Sequence, residues 1–244
     1  MAFNYKIKVS YDGKNYYGFQ KQENQNSIQE ELEKAISQVN SNQKINLIAS
    51  GRTDAKVHAY NQVCNFISEC EIDFKYFVYG VNKILPPDIK IKSVEEVDVD
   101  FHSRYDVKEK KYQYLINNGE YDVFLADYVH HFNKKLDLDK MIEASKLLIG
   151  KKDFRTFTSA RSEQNTIKKI NTINMYKKND IIVIEFSGNG FLRYMVRKLC
   201  ALLIDAGQEK VTKDKIEELL DKKDISAYSK TAPGCGLYLM DVLY

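Results

Sequence analysis

The strongest candidate for acid–base or nucleophilic chemistry is an aspartate that follows an arginine by two residues. In Ser50-Gly51-Arg52-Thr53-Asp54 a predicted strand ends and a turn begins, and in extended backbone Arg52 and Asp54 point to the same face. A neighbouring guanidinium keeps a carboxylate ionised, and an ionised, positioned aspartate can act as a base or a nucleophile. The alternative is a loop aspartate that caps a turn beside a solvent-screened arginine. These residues alone favour the alternative.

A second candidate is an aromatic strand that follows two lysines. Lys110 and Lys111 lead into a strand in which Tyr112, Tyr114 and Ile116 share one face. Stacking of a nucleobase on an aromatic ring contributes about 1–3 kcal/mol, so a tyrosine near lysines suits a nucleic acid. A core tyrosine in a strand with lysines at its wet end is the simpler interpretation of this segment alone.

The third candidate is a helix predicted over Phe191–Ala206, which carries two stripes of side chains. One is an ordinary apolar core stripe. The other begins with Arg193 and Arg197, then becomes apolar, and lies roughly 140–180° around the helix. A half-buried arginine needs a carboxylate or phosphate partner, because an unpaired buried charge is costly. Asp54 is a candidate partner, and an arginine that simply reaches water is an equally good interpretation.

Histidines and cysteines form no recognisable metal site. The four cysteines include no C-x-x-C pair and the four histidines no H-E-x-x-H motif. Neither a zinc site, nor a disulfide framework, nor a catalytic metal is therefore expected. His58 lies four residues after Asp54 and is interpreted as a structural or substrate-contacting histidine. His130 and His131 follow a predicted strand and are assigned no role.

The elements that must position these residues follow a similar order in each half of the chain. Alternation, helical spacing and capping residues predict β-α-β-β-α-β, then β-α-β-β-α-(α)-β. In the first half we expect strands and helices at Tyr5–Tyr11, after Ser27, Ile45–Ala49, Gln62–Ile67, after Asp73 and Ile89–Val97. In the second half we expect them at Val107–Asn117, Leu138–Leu148, Ile167–Tyr176, Ile181–Ser187, Phe191–Ala206, Lys213–Leu220 and Leu237–Leu243.

This order predicts an α+β protein of two ferredoxin-like (split βαβ) subdomains. Residues 1–104 would carry the Asp54 loop, and residues 105–244 would carry Tyr112 and Arg197. The junction near Phe101–Asp106 has no Pro/Gly/Ser-rich linker. We therefore expect the antiparallel sheets to be joined into one body around a central cleft.

Length and composition are those of an ordinary globular protein. The 244 residues are 43% hydrophobic and 29% charged, which excludes wholesale disorder. The net charge of +3 indicates a polyanion partner only if the charge is concentrated on one face. No apolar run approaches the ~18 residues of a membrane span, and the first residues lack the apolar region of a signal peptide. A cytoplasmic protein without membrane association is expected.

Six blocks of sequence resemble the TruA family of tRNA pseudouridine synthases. The block G-R-T-D at residues 51–54 is specific, and the blocks occur in the family's order over nearly the whole chain, which argues against chance. The blocks are Tyr11–Gln22, Gly51–Ala59, Asp100–Arg104, Lys110–Tyr114, Phe191–Arg197 and Ala232–Leu239.

The resemblance implies an enzyme that isomerises uridine to pseudouridine in the anticodon stem-loop of tRNA, at positions 38, 39 and 40. It also implies a two-domain α+β fold, a homodimer that binds tRNA across both subunits, and no cofactor or metal. Two alternatives remain. One is a diverged paralogue that modifies other tRNA or ribosomal RNA uridines, and the other is a non-catalytic RNA-binding or chaperone protein on the same fold.

The resemblance also implies roles for particular residues. Asp54 matches the catalytic aspartate, Tyr112 the active-site tyrosine, Arg197 the basic residue that pairs with the aspartate, and Arg52 the arginine next to the target nucleotide. The target uridine must be flipped out of its stack, at a cost of a few kcal/mol, and Arg52 is placed to stabilise the vacated space. The remaining candidate RNA contacts are His58, Lys21, Lys56, Lys110, Lys111 and Arg193.

Lys56 departs from the family pattern, which usually has glycine after G-R-T-D-A. A glycine there could provide a positive φ or allow close approach of the RNA backbone. A lysine removes that freedom and adds a charge that attracts phosphate. The departure bears on the loop conformation and on the RNA target.

Overall fold

The computed structural model describes residues 2–160 and 165–244, which fall into two compact units. The first unit comprises Met1–Lys108 with Tyr238–Tyr244, and the second comprises Glu109–Leu237. Each unit combines helices with a mostly antiparallel sheet, which confirms the predicted α+β class. Within the described ranges, no helix has the length and apolar character needed to cross a membrane.

The first unit has the predicted β-α-β-β-α-β order. Strand β1 lies between β3 and β4 and is antiparallel to both, and β2 pairs antiparallel with β3, which is the split βαβ arrangement. Of the strand predicted over Ile45–Ala49, only the last two residues pair. The elements are β1 (Phe3–Tyr11), α1 (Ile28–Val39), β2 (Ile48–Ala49), β3 (His58–Ser68), α2 (Phe74–Ile84) and β4 (Ile89–Val97).

Both helices of this unit begin at the predicted capping residues. The Ser27 hydroxyl accepts the Glu30 N–H at 3.4 Å, and the Asp73 carboxylate accepts the N–H groups of the next helical turn at 3.0 and 3.1 Å. These bonds satisfy donors that a helix N-terminus otherwise leaves free. The core under the helices includes the buried side chains Tyr5, Ile7, Leu32, Ile36, Phe66, Phe77 and Ile91.

The second unit has a four-stranded antiparallel sheet in the order β5-β9-β8-β7, with β6 parallel to β5. The predicted hairpin between β8 and β9 turns at Asn179, whose φ is +54°. The short strands β6 and β7 were not predicted, because two to four residues carry no periodic signal. The elements are β5 (Glu109–Asn117), β6 (His130–His131), α3 (Leu138–Lys146), β7 (Gly150–Asp153), β8 (Ile167–Lys178), β9 (Ile181–Gly188), α4 (Met195–Gly207) and α5 (Lys213–Lys222).

Helix α4 begins four residues later than its sequence predicts. Tyr194 has left-handed backbone (φ +64°, ψ 0°), and α4 starts directly after it at Met195. A left-handed residue turns the chain out of the helical path. Arg193 therefore does not lie on the helix with Arg197, and the prediction of one stripe that contains both arginines is wrong.

The last strand, β10 (Leu237–Leu243), returns to the first unit. It pairs parallel with β3, where Tyr238 lies opposite His58. The Tyr244 hydroxyl then donates to the Ser103 carbonyl at 2.6 Å, and its ring packs on Phe101 with centroids 5.0 Å apart. The order of elements had assigned this strand to the second half, because spacing along the chain does not report which sheet a strand joins.

Candidate active site

Asp54 lies half-buried in the irregular segment between β2 and β3. Its neighbours alternate, with Arg52 exposed and Thr53 buried. The Val57 N–H donates to the Asp54 carbonyl at 3.2 Å, which closes a turn containing Lys56 at φ +62°. The segment therefore has the positive φ for which a glycine is the usual residue, although a lysine occupies the position.

Residues 12–20, which follow β1, hold the Asp54 loop on both sides. The Phe19 N–H donates to the Thr53 carbonyl at 3.0 Å, and the Lys56 N–H donates to the Tyr16 carbonyl at 3.3 Å. The hydroxyls of Tyr11 and Thr53 are 2.7 Å apart in the interior. The backbone is thus fixed one residue before Asp54 and two residues after it.

Two glycines allow these loops to approach each other. A Cβ at Gly18, whose φ is +107°, would lie 2.8 Å from the Thr53 carbonyl oxygen, and one at Gly13 would lie 2.1 Å from the Val57 carbonyl oxygen. Both distances are shorter than a carbon–oxygen contact tolerates. Both glycines belong to the block Tyr11–Gln22, yet its sequence alone did not predict which segment they approach.

Gln62 anchors the start of the Asp54 loop and was not predicted as a site residue. It is fully buried in β3. Its side-chain amide donates to the Gly51 carbonyl at 2.9 Å, and its amide oxygen accepts the Ser50 hydroxyl at 2.7 Å. Gln62 directly follows Asn61 in β3, so no residue pattern marked it as buried, although a buried amide requires partners.

His58 is an internal residue of the first unit, with its side chain only 4% exposed. Its Nδ1 lies 3.1 Å from both the Gly13 nitrogen and Asp12 Oδ1. Because a backbone N–H can only donate, we assign Nδ1 as the acceptor from Gly13, and it then carries no proton for Asp12. The ring stacks on Tyr238 with centroids 4.7 Å apart. These contacts favour the structural interpretation of His58 over an RNA contact.

The cationic residues predicted to contact RNA are mostly on the surface. Arg52 and Lys56 flank Asp54 and are exposed, as is Lys21, which pairs with Glu30 at 3.4 Å. Such an exposed pair contributes little to stability and leaves the lysine able to exchange partners. In the second unit, Lys111 and Arg193 are exposed and Lys110 is half-buried.

In the second unit, Tyr112 is held in β5 with 9% of its surface exposed. Phe186 of β9 lies opposite it in the ladder. The Tyr112 ring meets the Phe191 ring edge to face, with centroids 5.2 Å apart and planes at 84°. The ring is therefore fixed in orientation, which a stacking platform requires.

Arg197 is the third residue of α4, and a backbone segment holds it in place. Its Nε donates to the Ala232 carbonyl at 2.8 Å, and the Ala232 N–H donates to the Arg197 carbonyl at 3.1 Å. Its guanidinium also lies 4.9 Å from the Tyr194 ring centroid, and that of Arg193 lies 5.3 Å from the same ring. Tyr194, missed as a site residue, combines a left-handed backbone with cation–π contacts to both arginines.

A family model described as tRNA pseudouridine synthase matches residues 7–106 and 144–244. The match covers most of the chain, including Asp54, the loop that holds it, and Arg197. The chain belongs to the tRNA pseudouridine synthase family. The recognition made from the six sequence blocks is thereby confirmed.

Curated relatives of this family align with the chain from end to end. The tRNA pseudouridine synthase A of Listeria monocytogenes serotype 4a is 42% identical over 244 residues, covering 98% of each chain. That of Acetivibrio thermocellus is 38% identical over 243 residues, covering 99% of each. That of Bacillus subtilis strain 168 is 38% identical over 242 residues, covering 98% of each.

Tyr114 holds the block Ala232–Leu239, one of the six blocks that resemble the family, in place through a hydrogen bond to Pro233. Tyr114 of β5 is fully buried, and its hydroxyl donates to the Pro233 carbonyl at 3.0 Å. Burial raises the pKa of this hydroxyl well above its ordinary value, so it stays protonated and remains a donor.

Among residues 2–160 and 165–244, no cluster of three or more His, Cys, Asp or Glu side chains could hold a metal ion.

Proposed function

We propose that this chain is a tRNA pseudouridine synthase that isomerises uridine to pseudouridine in the anticodon stem-loop, at positions 38, 39 and 40. The observation that carries the proposal is identity of 38–42% to relatives named tRNA pseudouridine synthase A, over the full length of each chain. The similarity spans the segment that contains G-R-T-D, so it includes the carboxylate on which the chemistry depends.

The reaction requires that the base leave C1′ of the ribose, rotate, and rejoin the sugar through C5. The Asp54 carboxylate acts either by covalent attack or by taking a proton from the ribose. Both routes need an ionised carboxylate in a fixed position. The hydrogen bonds to Thr53 and Lys56 on either side of Asp54 support this role, because they fix its backbone before substrate binds.

The other site residues take the roles implied by the family. Tyr112 stacks on the target base and assists the late deprotonation at C5, and its fixed ring orientation supports this assignment. Arg197 pairs with the Asp54 carboxylate and keeps it ionised. Arg52 stabilises the space that the flipped nucleotide vacates, and its exposure in the same loop supports that role.

RNA affinity would come from exposed or half-exposed cations that bind phosphates: Lys21, Lys56, Lys110, Lys111 and Arg193. Each alanine substitution that removes one cation from a phosphate should reduce the slope of log K against log salt by about 0.7–0.9. A binding constant that does not change between low and physiological salt would contradict a phosphate-binding surface.

We also propose that the enzyme is a homodimer that binds tRNA across both subunits, and that it acts in the cytoplasm, where its tRNA substrate is found. Light scattering coupled to size-exclusion chromatography should give twice the chain mass of 28.4 kDa. A mass equal to one chain at working concentration would contradict the dimer.

The experiment that tests the function compares Asp54→Asn with wild type on a tRNA transcript. The substitution keeps the side-chain shape and removes the charge, so we expect near-normal RNA affinity and no pseudouridine formation. Asp139→Asn, at an exposed carboxylate in the first turn of α3, is the matched control and should remain active. Unchanged modification by Asp54→Asn would refute the role of Asp54, and RNA binding without modification by wild type would favour the chaperone alternative.

Lys56 supports one alternative target, because it stands where the family usually has glycine and adds a charge to the Asp54 loop. A paralogue that modifies other tRNA or ribosomal RNA uridines fits the same catalytic residues. Pseudouridine mapping in cells with and without the gene decides the matter. Loss confined to positions 38, 39 and 40 supports the main proposal, and loss elsewhere supports the alternative.

A further inference from the structure

The segment that holds Arg197 has no regular structure of its own. Residues 228–232, here called the 228–232 segment, follow a short 3-10 turn and form neither helix nor strand. The last of them, Ala232, exchanges two hydrogen bonds with Arg197, one of them to the guanidinium. Whatever fixes the 228–232 segment therefore also fixes the guanidinium.

Two buried charged residues of α4 fix that segment. Lys198 Nζ donates to the Tyr228 carbonyl at 2.5 Å, and Asp205 Oδ2 accepts the Tyr228 hydroxyl at 3.0 Å. Lys230 Nζ lies 2.7 Å from both carboxylate oxygens of Asp205. Lys198 and Asp205 are only 5% and 4% exposed, although ionised side chains are seldom buried.

The cluster is better explained as a means of setting geometry than as a source of stability. The ion pair joins the buried Asp205 to the exposed Lys230, so solvent screens the attraction while the carboxylate still bears the cost of desolvation. Asp205 nevertheless receives donors from Tyr228 and Lys230, two residues of the same irregular segment. Burial and the neighbouring Asp205 raise the pKa of the Tyr228 hydroxyl, so it remains protonated as a donor.

Helix α4 carries the guanidinium and both anchors in one rigid element. Asp205 is eight residues after Arg197, which places it about 12 Å further along the helix axis. The 228–232 segment is fastened to α4 at Tyr228, at Lys230 and at Ala232. The position of Ala232 is thereby set by the helix that carries Arg197.

We propose that Asp205 is a positioning residue for the isomerisation: through Tyr228 and Lys230 it fixes Ala232, and through Ala232 it fixes the guanidinium of Arg197. This inference rests on the role given to Arg197 in the proposed function. It extends the set of functional residues to a buried carboxylate that lies about two helical turns away from Arg197.

The test measures single-turnover pseudouridine formation with enzyme in excess over a tRNA transcript. When the folded enzyme saturates the tRNA, this rate constant does not depend on the fraction of folded protein, so instability alone leaves it unchanged. Asp205→Asn should lower it about tenfold, because small displacements of a catalytic group cost that much or more. Affinity for tRNA should change by less than about twofold, since the phosphate-binding cations lie elsewhere. Asp205→Glu should recover part of the rate.

Glu209→Gln is the matched control, because Glu209 pairs with Lys140 at 2.6 Å on the surface of the same unit. It should react at the wild-type rate. Lys230→Gln removes the charged partner of Asp205 from an exposed position and serves as the second variant if Asp205→Asn does not fold. It should lower the rate in the same direction, by about threefold.

The outcomes separate this inference from the proposed function. If wild type is active and folded Asp205→Asn reacts at the same rate, the positioning role alone is overturned. Where Asp205→Asn does not fold, an unchanged rate in Lys230→Gln has the same meaning. A loss carried wholly by weaker tRNA binding overturns it too. No pseudouridine formation by wild type and by Glu209→Gln overturns the proposed function, and the positioning role with it.

Discussion

The hydroxyl groups of Tyr11 and Thr53 lie 2.7 Å apart, and both residues are buried. Tyr11 is the last residue of β1, and Thr53 immediately precedes Asp54. One hydrogen bond between residues 42 positions apart therefore connects the first strand to the candidate catalytic carboxylate. The Thr53 carbonyl also accepts the Phe19 N–H, so side chain and backbone of Thr53 are both held.

Tyr11→Phe should loosen this connection. The substitution removes one hydroxyl from a buried pair, and the free energy of unfolding should fall by about 1–2 kcal/mol. Pseudouridine formation should slow as well, because Asp54 is then held less firmly. Urea denaturation measures the stability and a single-turnover assay the rate. Tyr17→Phe, at a tyrosine that is 59% exposed, should alter neither; equal stability of Tyr11→Phe and wild type would show that the bond contributes nothing.

Gly18→Ala and Gly150→Ala separate backbone strain from steric conflict. The two glycines have nearly the same φ, +107° and +102°, so both alanines incur similar strain, about 1–3 kcal/mol. Only the alanine introduced at Gly18 would collide, because its Cβ would lie 2.8 Å from the Thr53 carbonyl oxygen. A Cβ at Gly150 would have no atom of the described residues within 4 Å apart from its own chain neighbours. Denaturation should show the larger loss for Gly18→Ala, and only that variant should lose activity. Equal losses would mean that the Asp54 loop adapts.

Lys56→Gly and Lys56→Ala distinguish the conformation of the Asp54 loop from its charge. Both remove the lysine charge, but only glycine relieves the left-handed backbone at φ +62°. Strain of about 1–2 kcal/mol exceeds the extra chain entropy of glycine, about 0.5–1 kcal/mol, so the glycine variant should be the more stable. The salt slope of tRNA binding should fall equally in both if Lys56 contacts a phosphate. An alanine variant as stable as the glycine variant would contradict the strain.

Local signals in the sequence predicted much of the fold. Ser27 and Asp73 marked the starts of α1 and α2, because a capping side chain and its helix are neighbours in the chain. The β8–β9 hairpin was predicted because its two strands and the turn that joins them are also neighbours in the chain. The start of α4 was not, since nothing in the residue type of Tyr194 indicates a left-handed backbone. The pairing of β10 with β3 also escaped prediction, because partner choice depends on contacts far apart in sequence.

The candidate site was predicted only in part. Asp54, Tyr112 and Arg197 were identified from charge, aromatic character and family blocks. The residues that hold them were missed. Gln62 binds the start of the Asp54 loop through its side-chain amide, Gly18 lets a neighbouring loop approach Thr53, and Ala232 accepts a hydrogen bond from Arg197 at its carbonyl. No motif reports these contacts. His58 was noticed next to Asp54, yet only the structure favours its internal position over an RNA contact.

His130 should make the stability of the second unit depend on pH. Its Nδ1 is buried without a hydrogen-bond partner in the part of the chain that the structure describes. Burial, and secondarily the nearby His131, lower the pKa of His130 from 6.5 to about 4. Between these values the unfolded chain binds a proton that the folded protein does not, so the stability contribution is present above pH 6.5 and is lost as the pH falls toward 4.

Between pH 7 and pH 5, the shifted pKa of His130 should therefore lower the free energy of unfolding of wild type by about 1–2 kcal/mol. His130→Leu cannot bind the proton, so its loss over that interval should be smaller by this amount. At pH 7 the leucine variant should be at least as stable as wild type, because it also removes a buried polar atom that lacks a partner. Urea denaturation at both pH values, with equal m-values required, measures the difference; parallel pH dependence of the two proteins would show that His130 takes up its proton in the folded state.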